Sequence, residues 1–303
     1  MRYLVTGGTG FIGSAVVKAL RDRGDEVIIV SRRAADGGAG VDAGGSTVTW
    51  DELARNPETV GSVDGVVNLA GETVGQRWTA AAKARILQSR LFAAQRIADY
   101  AANLPGTLRV VVNASGISSY GWSMTETFDE RSPSRETDFL AGVVSQWEAA
   151  ADRIRTDRLV KLRVGFVIAA RGGSFPLMAL PYRLFAGGRV GSGRQWLSWI
   201  HLDDIVRLIL FCLDNIGISG PVNASAPEPM TNDMFGRAIG QAMRRPHWLP
   251  LPAFMMKAVL GEMSALLLEG QRVLPLAALD AGFAFRYPTA DVALSSIVGK
   301  QPR

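Results

Sequence analysis

The sequence predicts an α/β protein built on a doubly wound parallel sheet. Three observations support this prediction: apolar runs of strand length, segments of helical periodicity between them, and a 303-residue chain that is 48% hydrophobic. A strand that is covered on both faces loses the alternation of polar and apolar residues, so continuous Val, Ile and Leu runs are typical of a parallel sheet between helical layers. A chain of this length supports a large core and a smaller second lobe.

The elements can be assigned in chain order. We predict sheet strands at 2–5, 26–30, 65–70, 109–115 and 159–165, and 222–225 again has strand character. We predict the intervening helices at 11–23, 80–102, 138–155 and 203–215, where apolar residues recur with helical spacing. The Gly-rich stretch 34–45 is expected to be a mobile surface loop. This order of strands and helices is that of a doubly wound sheet.

Composition narrows the class of partner. The net charge is +5, but Lys and Arg are scattered among 28 acidic residues without a basic block, which argues against nucleic-acid binding. The surplus suits an anionic small molecule instead. We therefore expect a small-molecule substrate, no nucleic-acid or membrane partner, and a monomer or homodimer.

Cysteine and histidine usage excludes two further classes of site. The single Cys212 cannot form an intrachain disulfide, and His201 and His247 beside it do not give a metal-ligand spacing, so no metal is expected. The start of the chain lacks a signal-peptide pattern, and the apolar stretch 253–268 is interrupted by Lys257 and Glu262. These features predict a cytoplasmic protein.

The first predicted strand leads directly into the glycine motif TGGTGFIG. Gly7, Gly10 and Gly13 have a G-x-x-G-x-x-G spacing at the start of a predicted helix. Glycine permits the tight turn and the close approach of backbone N–H groups to a pyrophosphate, and the helix N-terminus favours negative charge. In this strand-to-helix context the motif indicates a dinucleotide-binding turn.

The residues that end the second strand indicate which dinucleotide the chain binds. An NAD site places Asp or Glu there to bind the ribose 2′-hydroxyl, whereas this chain has Ser31, Arg32 and Arg33. Guanidinium groups match a 2′-phosphate and a carboxylate would repel it, so NADP(H) is the expected cofactor. The alternative is that both arginines are ordinary solvated surface residues.

The character of the chain changes after Gly165, to Gly/Pro-rich loops followed by a helical final third. We predict that residues 1–165, rejoined by 198–225, form an NADP-binding Rossmann domain. Residues 166–197 and 226–303 then form a smaller, mostly helical lobe over the carboxyl edge of the sheet, where a substrate would bind.

Four stretches, in order and evenly spaced, resemble the extended short-chain dehydrogenase/reductase superfamily. They are TGGTGFIG (6–13), NLAGE (68–72), VNASGISSYG (112–121) and GSGRQWLSWIHLDDIVR (191–207). Further stretches resemble its atypical epimerase branch, which carries its own C-terminal helical extension and whose members are named as nucleoside-diphosphate-sugar epimerases. These are RWT…K…I…SR (77–90), DFL…WEAAA (138–151) and LLLEGQRVLP…GF.F.YP (266–288).

The resemblance assigns roles to particular residues. It implies cofactor contacts along the pyrophosphate, the ribose phosphate and the nicotinamide half from Gly7, Gly10, Phe11, Ile12, Gly13, Ser31, Arg32, Arg33, Leu69, Ala70, Gly71, Arg90 and Val164. It also implies that Ser115, at the tip of the fifth predicted strand, faces the substrate.

The catalytic pattern of the superfamily is missing. Its reactions use a Tyr and a Lys four residues apart on one helix, and none of the five tyrosines here is followed by Lys at that spacing. Aligning Glu148 with the Glu that commonly follows the Lys places Leu140 and Val144 at the two catalytic positions. The Arg that holds the substrate diphosphate is matched by Leu197, with Arg194 three residues away as a substitute.

Other residues are then candidates for proton transfer. Tyr120 follows Ser115 and either faces the substrate or fills the loop as a packing residue. Glu72 and Lys83 are weaker candidates, because each has the pattern of a solvated or helix-pairing charge. Glu148 is expected to support the Ser115 loop or to pair with an Arg, and the 201–204 segment is expected to begin a helix with Asp203 as N-cap rather than to form a hydrolase triad.

Two functions fit these observations. The first is an NADP(H)-dependent epimerase or oxidoreductase that acts on a small hydrophobic or anionic molecule, with Ser115 and Tyr120 as catalytic candidates. The second is a catalytically silent protein that senses NADP(H) and regulates or interacts with a partner.

Overall fold

A seven-stranded parallel sheet organises the part of the chain that the computed structural model describes, residues 1–33 and 46–299. Its strands are β1 (Arg2–Thr6), β2 (Glu26–Ser31), β3 (Thr47–Thr49), β4 (Gly65–Asn68), β5 (Val111–Gly116), β6 (Leu159–Val164) and β7 (Gly220–Ala224). Across the sheet they lie in the order β7, β6, β5, β4, β1, β2, β3. The fold class predicted from the sequence is therefore confirmed.

Helices cover both faces of the sheet and form the smaller lobe. They are α1 (Phe11–Asp22), α2 (Trp50–Arg55), α3 (Ala80–Ala102), α4 (Phe139–Ala151), α5 (Phe175–Arg183), α6 (Leu202–Asp214), α7 (Asn232–Met243), α8 (Ala253–Leu260), α9 (Ala265–Leu268), α10 (Leu276–Asp280) and α11 (Ala290–Gly299). The four helices predicted from the sequence correspond to α1, α3, α4 and α6. The Gly-rich stretch 34–45, predicted as a loop, lies outside the described residues.

Successive side chains of each strand enter opposite cores, which explains the unbroken apolar runs. Tyr3 and Val5 of β1 pack on one face together with residues of α1 and α6. Leu4, between them, packs on the other face with residues of α2, α3 and α4. Both faces are buried, as the sequence pattern predicts.

The strand order reverses at β1 and fixes where a ligand can bind. The chain moves from β1 to β2 and β3 in one direction, and from β4 to β5, β6 and β7 in the other. In such a sheet the crevice at the carboxyl ends of β1 and β4 is the place where ligands bind. The segments that follow β1 and β4 therefore form the floor of any nucleotide site.

The smaller lobe has its own core. Buried Phe175, Trp199, Phe235 and Leu294 bring together α5, α7, α11 and the short parallel pair Phe166–Ile168 and Trp199–His201. A second parallel pair, Thr127–Phe128 with Arg272–Val273, joins the loop after β5 to the C-terminal part of the chain.

Two structural findings concern the remaining sequence expectations. Within residues 1–33 and 46–299, no helix is long and apolar enough to cross a membrane, and no group of His, Cys, Asp and Glu side chains could hold a metal ion. Cys212 is completely buried on α6, as predicted for a core residue.

Candidate functional site

The glycine motif forms a strand-to-helix turn at the switch point of the sheet. The backbone N–H of Gly10 donates to the carbonyl of Gly7 across 2.9 Å, and the first bond within α1 runs from the Ser14 N–H to the Gly10 carbonyl, also at 2.9 Å. Gly10 is the N-cap, no side chain caps the helix, and its first turn holds no acidic residue. The first N–H groups of α1 are therefore free to bind an anion.

Glycine is required at two positions of this turn. Gly7 has φ +66°, and a Cβ there would lie 2.7 Å from the carbonyl oxygen of Leu69. A Cβ on Gly13 would lie 2.1 Å from the carbonyl oxygen of Gly7. The turn after β1 thus rests directly on Leu69 and Ala70, in the segment after β4.

The side chain of Phe11 is covered by a segment that sequence reasoning did not identify. Gly172 and Gly173, with φ +76° and +62°, lie so close to the Phe11 ring that a Cβ on either would be 2.6 to 2.7 Å from a ring carbon. In the sequence, the adjacent glycines at positions 172 and 173 were the signal that could have identified this segment. They bring the start of the smaller lobe over the N-terminus of α1.

Ser31, Arg32 and Arg33 lie at the carboxyl end of β2, on the same edge of the sheet as the glycine turn. The Ser31 hydroxyl donates to the Arg33 carbonyl and accepts from the Arg33 N–H, which forms a compact turn. Arg32 and Arg33 are exposed. Two guanidinium groups are thus available at the position where a dinucleotide ribose is bound in this type of sheet.

Arg90 of α3 lies against the segment after β4. Its guanidinium donates to the carbonyls of Glu72, at 3.0 Å, and Ile86, at 2.9 Å, and lies over the Trp147 ring with 5.0 Å to the ring centroid. Burial lowers the pKa of Arg90 to about 10, and the nearby Glu72 carboxylate only partly opposes this. A Cβ on Gly71 would lie 3.2 Å from the guanidinium carbon, so this close approach also depends on a glycine.

Ser115, the predicted substrate-facing residue, belongs to a buried polar cluster. Its hydroxyl donates to Glu148 Oε1 on α4 across 2.6 Å. Glu148 also forms a bidentate pair with Arg163 of β6, from Nε to Oε1 at 2.8 Å and from Nη2 to Oε2 at 2.9 Å. The two roles expected for Glu148, support of Ser115 and pairing with an Arg, are therefore combined in one contact network.

The charges of this pair can be assigned. Burial alone would raise the pKa of Glu148, but the hydrogen bonds from Arg163 and Ser115 outweigh burial and hold the pKa below its ordinary value. The pKa of Arg163 is raised, because its contacts with Glu148 outweigh the opposing effect of burial. The pair is ionised, so the Glu148 carboxylate accepts hydrogen bonds and has little basicity left for proton abstraction.

Tyr120 has the environment of a packing residue. Its side chain is completely buried, its hydroxyl donates to Asn223 Oδ1 at 2.8 Å, and its ring stacks on Phe128 at 5.5 Å between centroids. Burial raises the pKa of the Tyr120 phenol above its ordinary value, and the nearby Arg163 charge only partly opposes this. Tyr120 was expected either to face the substrate or to fill the loop as a packing residue. Its contacts favour the packing role, and none of them supports a catalytic role.

Leu140 and Val144, the two positions that the resemblance aligns with a Tyr and a Lys, lie on α4. Val144 is buried, and its Cγ2 would lie 3.2 Å from a Cβ on Gly116, at the end of β5. Leu140, one turn earlier, is half-buried. Val144 therefore places an apolar side chain against the end of β5.

The weaker proton-transfer candidates are engaged in other contacts. Lys83 pairs with Glu262 and lies over the Phe139 ring, 5.2 Å from the centroid. The Glu72 carboxylate accepts a hydrogen bond from Gln76 at 3.2 Å. Arg194, the substitute for a diphosphate-binding Arg, is exposed, three residues before the half-buried Leu197.

One expectation about the 201–204 segment was wrong. The N-cap of α6 is His201, whose Nδ1 accepts from the Asp203 N–H at 3.0 Å, and not Asp203. His201 ends a strand, as predicted, and an imidazole acceptor can cap a helix as a hydroxyl does. Asp204 is fully buried and accepts from the N–H groups of Arg286 and Tyr287, at 2.8 Å each. These contacts anchor the C-terminal segment, and they do not form a hydrolase triad.

Known proteins share the sequence and the fold of this chain. Residues 3–142, which include the glycine turn and β1 to β5, match the model of the NAD dependent epimerase/dehydratase family. Residues 251–297 match a domain of unknown function, DUF1731. Epimerase family protein YfhF of Bacillus subtilis is 38% identical over 98% of each chain. This chain belongs to the epimerase family.

Other members of the epimerase family are equally similar. Human epimerase family protein SDR39U1 is 38% identical over 98% of this chain and 100% of its own. A crystal structure of the human protein with NADPH superimposes with a TM-score of 0.91 and 38% identity, covering 99% of this chain and 100% of the other.

More distant structures agree in fold. A nucleoside-diphosphate sugar epimerase from Corynebacterium glutamicum is 28% identical, with a TM-score of 0.77, and this chain spans 58% of it. UDP-glucose 4-epimerase from Thermotoga maritima shares the fold at 16% identity and a TM-score of 0.77. The resemblance of the sequence to this epimerase superfamily is therefore confirmed.

Proposed function

We propose that this chain is an NADP(H)-binding enzyme of the epimerase or oxidoreductase type that acts on a small molecule without a Tyr-x-x-x-Lys pair. The observation that carries the proposal is the combination of an intact dinucleotide turn with a substrate-side hydroxyl, Ser115, that is fixed by an ionised carboxylate.

The residues of the site fit the chemical groups of NADP(H). The uncapped N-terminus of α1 and the glycine cradle formed by Gly7 and Gly13 suit a pyrophosphate, because no side chain occupies the first N–H groups of the helix. Arg32 and Arg33 would bind the 2′-phosphate, and Arg90 would contact the cofactor near Gly71. The human relative of 38% identity has been crystallised with NADPH, which supports the same cofactor here. When bound, the dinucleotide supplies the hydride donor or acceptor.

Val164 belongs to the proposed nicotinamide end of the site. It pairs in register with Gly116 of β5 on one side and with Ala224 of β7 on the other. Ser115 lies one residue before Gly116, so Val164 and Ser115 occupy neighbouring strand ends at the carboxyl edge. A ligand that extends from the glycine turn along this edge would meet both residues.

Ser115 would bind and orient the substrate. Its hydroxyl hydrogen is directed to Glu148, so the lone pairs of Oγ are left to accept a hydrogen bond. The substrate group that it receives is therefore a donor, such as a hydroxyl. The Glu148 carboxylate acts as a positioning group, because Arg163 keeps it ionised and weakly basic.

The proton that accompanies hydride transfer would come from water or from the substrate itself. The absence of a positioned general acid costs roughly 10²–10⁴ in rate. A second function, an NADP(H) sensor without turnover, is favoured by one observation: Val144 and Leu140 present only apolar atoms where the superfamily places its catalytic pair.

Kinetics with a serine variant test the proposal. NADP⁺ reduction would be followed across a panel of alcohols and sugar nucleotides, and the reverse reaction as NADPH oxidation by the corresponding aldehydes and ketones, together with exchange of deuterium from labelled NADPH. We expect slow turnover that Ser115→Ala lowers about 10–100-fold, the usual cost of a lost hydrogen bond to a reacting group, with the NADPH Kd nearly unchanged.

The outcomes separate the two functions. Tight NADPH binding with no turnover and no deuterium exchange would establish the sensor and refute the enzyme. Turnover that Ser115→Ala leaves unchanged would remove Ser115 from the mechanism. Failure to bind either dinucleotide would refute both functions.

A further inference from the structure

The net positive charge of the chain arises from two segments, most of which belong to the smaller lobe. Residues 171–202 and 234–261 contain no Asp or Glu and eight Lys or Arg residues. The rest of the chain has 25 basic and 28 acidic residues, so the net positive charge of the protein arises from these two segments. Because basic residues are scattered along the whole sequence, the lack of acidic residues in these two segments is easily overlooked.

The same two segments expose many large apolar side chains. Leu184, Phe185, Trp248, Phe254 and Val259 are 68%, 56%, 64%, 72% and 71% exposed. None of the residues of α8 is buried. Scattered exposed apolar residues are normal on a soluble surface, but a group of this density marks an interaction surface.

Backbone contacts hold the two segments together. The N–H groups of Trp248 and Leu249 both donate to the Gly187 carbonyl, and the Leu251 N–H donates to the Arg189 carbonyl at 2.8 Å. A Cβ on Gly188 would lie 1.9 Å from the Leu249 carbonyl oxygen, so only glycine allows this approach. The surface is therefore preformed.

Side-chain contacts place apolar and basic groups side by side. The Trp248 indole N–H donates to the Phe185 carbonyl at 2.9 Å, and the Arg245 guanidinium lies 4.2 Å from the Phe185 ring centroid. Phe185 and Arg244, with φ +59° and +54°, are the non-glycine residues of positive φ within the described chain. These left-handed residues end α7 and α5 and so lead the chain into the two joined loops.

We name this surface the basic apolar face. It consists of the exposed or half-buried residues of the two joined loops, Leu184, Phe185, Arg244, Arg245, Trp248, Leu249 and Leu251, and of the exposed residues Phe254, Lys257 and Val259 of α8, which begins two residues after Leu251. The acidic residues near it interact with basic groups: Asp233 pairs with Arg237 at 2.9 Å, Glu262 pairs with Lys83, and Glu269 lies close enough to Lys257 for an electrostatic contact.

We propose that the basic apolar face binds the surface of an anionic phospholipid bilayer. A bilayer of this kind offers negative headgroups and an apolar interior at one boundary, which matches a face that has cations and exposed Phe, Trp and Leu but no acids. Trp and Phe side chains enter at headgroup level while Arg and Lys remain among the phosphates. A second copy of the same face is disfavoured, because it would bring like charges together.

This proposal is independent of the proposed function and departs from the expectation of a partner set without a membrane. It concerns a peripheral contact, since no described helix can cross a bilayer.

Flotation of the whole protein with lipid vesicles tests the proposal. We expect binding to vesicles of phosphatidylcholine with phosphatidylglycerol, no binding to phosphatidylcholine alone, and release by salt, because salt screens the headgroup contacts. Arg245→Glu with Lys257→Glu should lower the bound fraction about tenfold or more, and so should Phe254→Ser with Val259→Ser.

Matched variants elsewhere serve as controls. Ile216 is 87% exposed and lies outside the face, so Ile216→Ser should float like the unaltered protein, as should Arg155→Glu at another exposed site. Unchanged NADPH affinity and thermal unfolding would show that all variants fold. The proposal is overturned if the unaltered protein binds no anionic vesicle, or if the face and control variants bind vesicles equally. It is also overturned if the face binds polyglutamate but no vesicle, because that result would indicate an acidic protein partner.

Discussion

Ser115 at the end of β5 donates its hydroxyl hydrogen to Glu148 of α4 across 2.6 Å. The same carboxylate accepts both prongs of the Arg163 guanidinium from β6. A serine at the end of β5, helix α4 and strand β6 are thus joined by one ionised pair. The Glu148 carboxylate of this network fixes the Ser115 hydroxyl and is held in its ionised form.

Removing the charge of Glu148 should destabilise the protein strongly. Glu148→Gln leaves the Arg163 guanidinium buried without its counter-ion, so we expect the free energy of unfolding to fall by about 3–5 kcal/mol. Urea denaturation measures this change. The exposed pair of Lys18 with Asp22 is the control, because Asp22→Asn should cost less than about 1 kcal/mol. Similar losses for both variants would contradict a buried ion pair.

The same pair predicts how stability depends on pH. The folded pKa of Glu148 lies below its ordinary value of about 4.3, so the carboxylate binds fewer protons in the folded than in the unfolded state. Its contribution is therefore complete above that ordinary value and is lost as the pH falls through the folded pKa. We expect the stability difference between the unaltered protein and Glu148→Gln to be constant near neutrality and to shrink below about pH 4. A difference that grows in acid would refute the assignment.

The glycine turn should tolerate no side chain at Gly13. Gly13→Ala places a methyl group 2.1 Å from the Gly7 carbonyl oxygen, so the turn must open. We expect the NADPH Kd, measured by fluorescence titration, to rise at least about tenfold, because the N–H groups lose their alignment with the pyrophosphate. Gly106→Ala is the control, since nothing lies within 4 Å of its added Cβ. An unaltered Kd in Gly13→Ala would mean that the cofactor does not use this turn.

Tyr120→Phe distinguishes a packing residue from an acid. The substitution removes the hydrogen bond to Asn223 and leaves that amide oxygen buried, so we expect a loss of about 1–3 kcal/mol of stability. NADPH affinity and any turnover should stay the same. If kcat instead falls about 100-fold or more while stability holds, Tyr120 is a catalytic residue after all.

The parts of the fold that the sequence predicts are those with local signals. Strands buried on both faces and a glycine turn between strand and helix are visible in short windows, so β1, β2, β4, β5 and β6 were found within a few residues. The three-residue edge strand β3 was missed, because a strand of that length carries no periodicity.

The parts of the site that the sequence does not predict depend on contacts between distant elements. Arg163 was not a candidate, although a charged residue within the apolar run LVKLRVG was a usable signal that a buried partner exists. The hydroxyl of Tyr120 is bound by Asn223, 103 residues away, which no short window reveals. His201, and not Asp203, is the N-cap of α6. The sequence did not reveal this, because histidine is not among the residues that usually signal a helix N-cap.

The dinucleotide preference of the unaltered protein and of Arg32→Ala with Arg33→Ala tests the central claim most directly. Both side chains are exposed at the end of β2, so their removal should leave the fold intact, with Arg155→Ala as a matched surface control. Titration with NADPH and NADH should show a preference for NADPH that the double variant reduces about 10–100-fold through weaker NADPH binding alone, which reflects lost charge-assisted hydrogen bonds. Equal losses for NADPH and NADH, or no preference in the unaltered protein, would contradict an NADP(H) site at this sheet edge.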